Sequence, residues 1–244
     1  MSLHGLDIAS YQGVPDFGAV AAAGYTFVLD KATEGTSYLS QRFAQTWPAI
    51  LQAGLARAAF HFARPTQNDP VSEDRWFLQQ VGAQLAPGDV VALDLEDDPT
   101  PTDTTDFLAW TLTWLQDVTA AVGCRPLVYS RLDYLQRHNL LDARLAQYGL
   151  WLAAYQPAEP SPPAPWPFIA VWQSGQGTVS GVAGPVDLDT FYGTVDQFRA
   201  YGVPRPQPAP KPPLGDADRY QLVKYVCGGS GVADLTAWLS QFSD

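Results

Sequence analysis

Seven short apolar segments recur along the first 200 residues, and amphipathic stretches separate them. Most are about five to eight residues long, rich in Val, Leu, Ile and aromatic residues, and bounded by Gly or Pro. Such segments are typical of strands that are buried on both faces of a parallel sheet. They cover residues 3–9, 25–32, 55–63, 89–96, 126–130, 150–155 and 168–173, and residues 186–189 supply a short eighth.

Helical patterns fall between these segments. One begins at Asp69-Pro70 and runs to residue 85, a second covers residues 104–122 before Gly123, and a short one covers 195–201. We expect four tryptophans to pack helices against strands: Trp47, Trp76, Trp110 and Trp114. Alternating strands and helices predict an α/β fold with a mostly parallel sheet. Up to eight strands in about 200 residues favour an incomplete, TIM-like β/α barrel with fewer than eight helices.

The composition changes beyond Gly202. Residues 204–213 contain six prolines, which is typical of an extended, semi-rigid linker. We therefore predict a barrel domain over residues 1–202, a linker over 203–215 and a short helical tail over 216–244. The tail either docks on the barrel or begins a wall-binding module, since 29 residues are too few for a confident independent core.

Charge and composition exclude several classes of function. The net charge is −11, so the chain has no general attraction for phosphate backbones and we expect no nucleic-acid partner. No apolar run approaches the roughly 20 residues that span a bilayer, so we expect no membrane insertion. The amino terminus shows no signal-peptide pattern. The three histidines lack metal-ligand spacing, and the two cysteines are too far apart in the sequence for a zinc or redox motif, so we expect no metal or cofactor. Cys124 and Cys227 are either two buried free thiols or a disulfide.

Acidic residues lie inside the apolar segments, where burial of a carboxylate is expensive without a partner. Asp7 lies in the first segment, Asp94 and Glu96 close the fourth, and Asp187 lies in the eighth. In a barrel the strand ends converge at one mouth, where the active sites of this architecture lie. We therefore expect the four acids to meet.

The Asp94/Glu96 pair has the spacing for acid–base chemistry. In a strand both side chains face the same side, with Cα atoms roughly 6.6 Å apart. Two carboxylates this close cannot both ionise easily, which leaves a proton donor beside an anion. Cleavage of a glycosidic bond needs this combination. The alternative is that the Asp94/Glu96 pair caps the next helix or binds a cation. The presence of two further acids in strands, Asp7 and Asp187, favours catalysis over that alternative.

Aromatic side chains within or just after the strands suit the apolar faces of sugar rings. They are Tyr11, His61, Phe62, Tyr129, Trp151, Tyr155 and Trp172. Each of them can instead be a core residue. Glu34 and Gln173 are candidates for binding sugar hydroxyl or amide groups. The predicted substrate-binding set is Glu34, His61, Tyr129, Trp151, Tyr155 and Gln173.

Eight motifs in order resemble the family 25 glycoside hydrolases, the lysozyme family of bacteria, fungi and phages, over about residues 4–202. They are GLDIASYQG at 5–13, KATEG at 31–35, FHFA at 60–63, LDLE at 93–96, LVYS at 127–130, WLAAY at 151–155, WQ at 172–173 and VDLD at 186–189. The resemblance implies an incomplete β/α barrel that cleaves the β-1,4 bond between N-acetylmuramic acid and N-acetylglucosamine in bacterial peptidoglycan, with retention of configuration.

The resemblance also implies roles for the acids. Glu96 is the general acid/base, and Asp94 is either the nucleophile or the group that orients the 2-acetamido group of the substrate for attack. Asp7 and Asp187 shape the electrostatics and hold the sugar. We expect a monomer that acts at the bacterial cell wall, either a phage endolysin or a bacterial enzyme without its leader. The alternatives are a wall-binding module without catalysis and a hydrolase of another N-acetylhexosamine polymer such as chitin.

Three residues depart from the family pattern. Ala9 replaces a frequent Ser, Asp30 replaces an apolar residue before the KATEG motif, and Asp189 replaces a common Asn. None of these changes removes a catalytic carboxylate. We expect Asp189 to add negative charge near the mouth, which would raise the pKa of Glu96 and shift the pH optimum upward.

Overall fold

The computed structural model describes residues 2–97 and 105–204, which form a closed barrel with helices on its outside. Its strands are β1 (Leu3–Ile8), β2 (Phe27–Glu34), β3 (Tyr38–Leu39), β4 (Ala56–Phe62), β5 (Val90–Asp94), β6 (Leu127–Arg131), β7 (Leu150–Ala153), β8 (Val171–Thr178) and β9 (Pro185–Phe191). The helices are α1 (Phe17–Ala22), α2 (Phe43–Gln52), α3 (Pro70–Val81), α4 (Phe107–Val122), α5 (Leu132–Arg137) and α6 (Val195–Arg199).

Eight of the described strands close the barrel, in the order β1-β9-β8-β7-β6-β5-β4-β2, and β1 pairs with β2 to complete the ring. The short β3 is an antiparallel extension of β2. The pairings from β1 through β2 and β4–β8 are parallel, whereas β9 is antiparallel to both of its neighbours. The prediction of an incomplete β/α barrel is therefore confirmed, with one reversed strand.

Local sequence explains where the two long helices begin and end. Asp69 accepts a hydrogen bond from the Ser72 amide at the start of α3, and Pro70 occupies the first turn. Asp106 caps α4 in the same way, and Gly123 ends it in the left-handed conformation with φ of 78°. The predicted helix start at residue 104 is thus three residues early.

The barrel has one apolar core inside it and others between the strands and the helices. Alternate residues of each strand face the interior, where Phe27, Leu29, Phe60 and Trp151 pack together. Gly5 is required there, because a Cβ atom at this position would lie 2.3 Å from the Phe27 ring. Trp47, Trp110 and Trp114 are buried in the helix layer as expected.

Some sequence predictions lie outside the described residues. The barrel unit spans Met1–Pro204, and the predicted linker and tail, except Val203 and Pro204, are not described. Cys124 has a buried free thiol, whereas Cys227 is not described.

No helix in residues 2–97 and 105–204 is both long enough and apolar enough to cross a membrane.

Candidate active site

A pocket of about 240 Å³ opens at the carboxyl ends of the parallel strands. The four predicted acids, Asp7, Asp94, Glu96 and Asp187, all line it, as do Ala9, Tyr11, Lys31, Phe60, Phe62, Tyr129, Trp151, Tyr155 and Gln173. Four residues of the predicted substrate-binding set are therefore in the pocket, and Glu34 and His61 are not.

Asp187 reaches this mouth by a route that the sequence analysis did not predict. It lies near the start of β9 and pairs in register with Asp7, which lies near the end of β1. Because β9 is antiparallel to β1, its beginning lies beside the carboxyl ends of the parallel strands. The sequence analysis assigned no direction to this strand.

Asp94 is positioned by the alternation of β5. Val90, Ala92 and Asp94 share the inner face, while Val91 and Leu93 pack against the helices. Among the described residues, no donor reaches the buried Oδ1 atom of Asp94. Burial and the nearby charge of Glu96 raise the pKa of Asp94 well above its usual range.

Glu96 lies two residues beyond Asp94 and is partly exposed. Burial raises its pKa, whereas the positive charges of Arg131 and Lys31 act in the opposite direction. Both carboxyl groups therefore retain a proton more readily than isolated ones, because burial raises both pKa values and the charge of Glu96 adds to the effect on Asp94. The pair can therefore supply both a proton donor and an anion.

Two hydrogen bonds connect Asp7 to Tyr129. The Gln173 side chain donates from Nε2 to Asp7 Oδ2 over 2.8 Å, and Tyr129 Oη donates to Gln173 Oε1 over 3.1 Å. Tyr129 and Glu96 both line the pocket, and the Tyr129 hydroxyl acts to lower the pKa of Glu96. Burial and the charge of Asp187 raise the pKa of Asp7 to about 7. Tyr155 Oη donates to Asp187 Oδ1 over 2.6 Å.

Lys31 is a pocket residue that the sequence analysis did not single out. Its Nζ atom lies 4.2 Å from the centre of the Phe62 ring and 2.7 Å from Glu34 Oε2. Strand alternation could have predicted its position, because Lys31 is two residues from the inward-facing Leu29 and therefore lies on the same face of β2. The cation partly offsets the negative charge of the four acids.

Glu34 belongs to an ion-pair cluster outside the lining of the pocket. Arg64 Nε donates to Glu34 Oε1 over 2.9 Å, and Arg64 also pairs with Asp97. Although burial acts to raise it, hydrogen bonds from Lys31 and Arg64 lower the pKa of Glu34. Glu34 therefore does not line the pocket but forms an ion pair with Lys31, which does.

His61 is a core residue, and the expectation that it contacts substrate is wrong. Its side chain is fully buried on the outer face of β4. The Nδ1 atom lies 2.7 Å from Thr33 Oγ1, and Nε2 lies 2.8 Å from Glu73 Oε2. Both ring nitrogens are therefore occupied within the protein.

Two exposed tyrosines, Tyr11 and Tyr155, line the pocket, with 74% and 60% of their surface accessible. A wider groove of about 620 Å³ shares Glu96, Tyr129, Tyr155 and Gln173 with the pocket. Its floor includes Leu152. The groove therefore extends the concave surface beyond the acids, with both apolar and polar lining.

The described residues contain no group of three His, Cys, Asp or Glu side chains arranged to hold a metal ion.

Comparison with known proteins identifies relatives in sequence and in fold. The sequence model described as "Glycosyl hydrolases family 25" matches residues 6–182. Lysozyme M1 of Streptomyces globisporus is 28% identical over 214 residues, which are 81% of this chain and 70% of the relative. A bacterial lysozyme from Streptomyces coelicolor superimposes with a TM-score of 0.75 at 25% identity, over 82% of this chain and 96% of the other. A muramidase from Acremonium alcalophilum gives a TM-score of 0.73 at 27% identity, over 82% and 98%.

Proposed function

Because this chain belongs to glycosyl hydrolase family 25, we propose that it cleaves the β-1,4 bond between N-acetylmuramic acid and N-acetylglucosamine in bacterial peptidoglycan. The chain is a glycosidase, and its lysozyme and muramidase relatives support peptidoglycan as the substrate. The observation that carries the proposal is that Asp94 and Glu96, both with a raised pKa, line one pocket together with Asp7 and Asp187.

Glu96 acts as the general acid and then as the general base. Glu96 lines both the pocket and the wider groove. A glycan strand that extends from one to the other therefore lies next to the proton of Glu96. Protonation of the leaving oxygen by Glu96 lowers the barrier to bond cleavage, and the resulting carboxylate then activates water.

Asp94 supplies the anion of the pair. No donor from the described residues reaches its Oδ1 atom, so a ligand can bring one there, such as the N–H of a 2-acetamido group. That contact, or the positive charge that develops at the anomeric carbon, favours the ionised form of Asp94. The proton of the pair is then held by Glu96, where the reaction needs it. Attack by Asp94 itself and attack by the acetamido oxygen both use this arrangement.

The walls of the pocket determine how the sugar is held. Tyr11 and Tyr155 offer exposed aromatic surface on which the apolar face of a sugar ring can pack. The acidic composition offers no attraction to anionic cell walls, so binding at the wall depends on these sugar contacts or on the tail predicted over residues 216–244.

The test is the Glu96→Gln variant on purified peptidoglycan. It keeps the size of the side chain but removes its proton transfer, so we expect the rate of wall clearing to fall by about 10²–10⁴-fold without loss of thermal stability. The Asp196→Asn variant is a matched control, since it removes one exposed acid on α6, outside the pocket. A folded Glu96→Gln enzyme with the wild-type rate would refute the assignment.

Product analysis tests the bond. Mass spectrometry of reduced fragments should find muramic acid at the reducing end. N-acetylglucosamine at that end, or faster turnover of chitin, would identify a different hydrolase. Binding to peptidoglycan without turnover would identify a wall-binding module.

A further inference from the structure

Asp189 lies beneath the candidate active site without lining its pocket. It is only 2% exposed, and in the barrel sheet it is in register with Gly5 of β1 and Gln173 of β8. A carboxyl group at this depth needs partners for both oxygens or a proton on one of them.

The two carboxyl oxygens of Asp189 have different surroundings. Oδ1 accepts a hydrogen bond from Trp151 Nε1 over 2.8 Å. No N–H or hydroxyl donor from the described residues reaches the buried Oδ2. The register of β1 and β9 places Asp189 diagonally across from Asp7 on the same face, and the charge of Asp7 acts on it. Two carboxyl groups can share a hydrogen bond only if one of them is protonated.

We propose that Asp189 is a positioning residue that keeps its proton and donates it in a hydrogen bond to the Asp7 carboxylate. The inference rests on the proposed function, because it concerns the same site. Asp7 is the better place for the negative charge, since it lines the open pocket and is 8% exposed, four times the fraction of Asp189. Trp151 satisfies the second oxygen of Asp189, which leaves Oδ2 to carry the proton.

This proton orients the polar chain that leads to Glu96. An ionised Asp7 accepts from Asp189 and from Gln173 Nε2, so the amide of Gln173 must present Oε1 to Tyr129. Tyr129 then donates its single proton to Gln173, so its oxygen is left as an acceptor for the protonated carboxyl group of Glu96. Without the Asp189 donor, Asp7 loses a partner and the amide of Gln173 is no longer held in one orientation. Asp189 therefore acts on the position of Glu96 through three intervening side chains.

The charges around Asp189 favour the protonated form. The titratable groups that face it are Asp7 from β1, Asp187 on its own strand and Tyr155 after β7. Burial and the charge of Asp7 raise the pKa of Asp189 well above its usual range. A neutral Asp189 adds no charge near Glu96, contrary to the expectation from the sequence alone.

Asp189→Asn tests the proposal because Asn reproduces a protonated Asp in charge and shape. Its amide can accept from Trp151 and donate to Asp7. The pH profile of kcat/KM should therefore stay at its wild-type position. If Asp189 is ionised, the same change removes a negative charge beside Asp7, and the acid limb of the profile should move to lower pH, which would overturn the proposal.

Asp189→Ala removes the donor, so kcat should fall by about 10- to 100-fold with little change in KM, and Asn should restore most of this loss. If the Ala variant does not fold, infrared difference spectroscopy between wild type and Asp189→Asn at pH 7 still shows whether Asp189 is protonated. A protonated carboxyl band that is lost in the variant supports the proposal, and its absence overturns it. This readout does not depend on activity, so it separates failure of this inference from failure of the proposed function.

Discussion

Asp30 provides a stability test that is independent of catalysis. It lies on β2, is 1% exposed, and accepts a hydrogen bond from Thr46 Oγ1 of α2 over 2.5 Å. Burial raises the pKa of Asp30 to about 8 from an ordinary value of 3.8, although the Thr46 hydroxyl acts in the opposite direction. Folding at neutral pH therefore requires Asp30 to take up a proton.

The size of the effect follows from this difference in pKa. One pKa unit corresponds to about 1.4 kcal/mol. The stabilising contribution of the protonated group is complete below pH 3.8 and is lost as the pH rises towards 8, because the unfolded chain releases the proton first. Asn is neutral at every pH and can accept from Thr46. The Asp30→Asn variant should therefore be about 4 kcal/mol more stable than wild type at pH 7, and nearly equal to it at pH 4.

Urea denaturation of both proteins at several pH values between 4 and 8 measures this gap. The free energy of unfolding should diverge between the two proteins as the pH rises. The exposed Asp196→Asn variant controls for the loss of one charge and should follow wild type. A gap of the same size at pH 4 and pH 8 would refute the reasoning, because a packing effect alone does not depend on protons.

Two further predictions concern buried side chains. Arg57 donates to both oxygens of Asp89, over 2.9 and 2.7 Å, so Arg57→Met should leave a buried carboxylate unpaired and cost about 3–5 kcal/mol. Calorimetry should record the loss, and an unchanged melting temperature would contradict it. His61→Ala should lower stability by about 2–4 kcal/mol without changing KM, because His61 fills the core. If the His61→Ala variant is stable but has a raised KM, His61 contributes to substrate binding after all.

Strand periodicity predicted much of the site. Alternation in β5 placed Asp94 and Glu96 on one face, and both line the pocket. The same rule applied to β4 would have separated His61 from Phe60 and Phe62, because neighbours in a strand face opposite sides. The wrong expectation for His61 came from treating all aromatic residues near strand ends as one set.

Other features were not visible in the sequence. Periodicity indicates a strand but not its direction, so the reversal of β9 was missed. The two missed helices, Phe17–Ala22 and Leu132–Arg137, have six residues each, which is too short for a clear helical period. A third, Phe43–Gln52, was indicated only through Trp47 and without bounds, and its Pro48 weakens the helical signal.

The closure of the barrel has a consequence for how the protein is made. β9 joins β1, and the hydrogen bond between Gln173 and Asp7 connects residues that are 166 positions apart. The catalytic cavity therefore cannot assemble on the ribosome until almost the whole described chain has emerged. Contacts between such distant parts of a chain also form slowly. A nascent or truncated product that stops before Asp187 lacks one of the four pocket acids and exposes the open edge of β1, so the pocket is incomplete until β9 is in place.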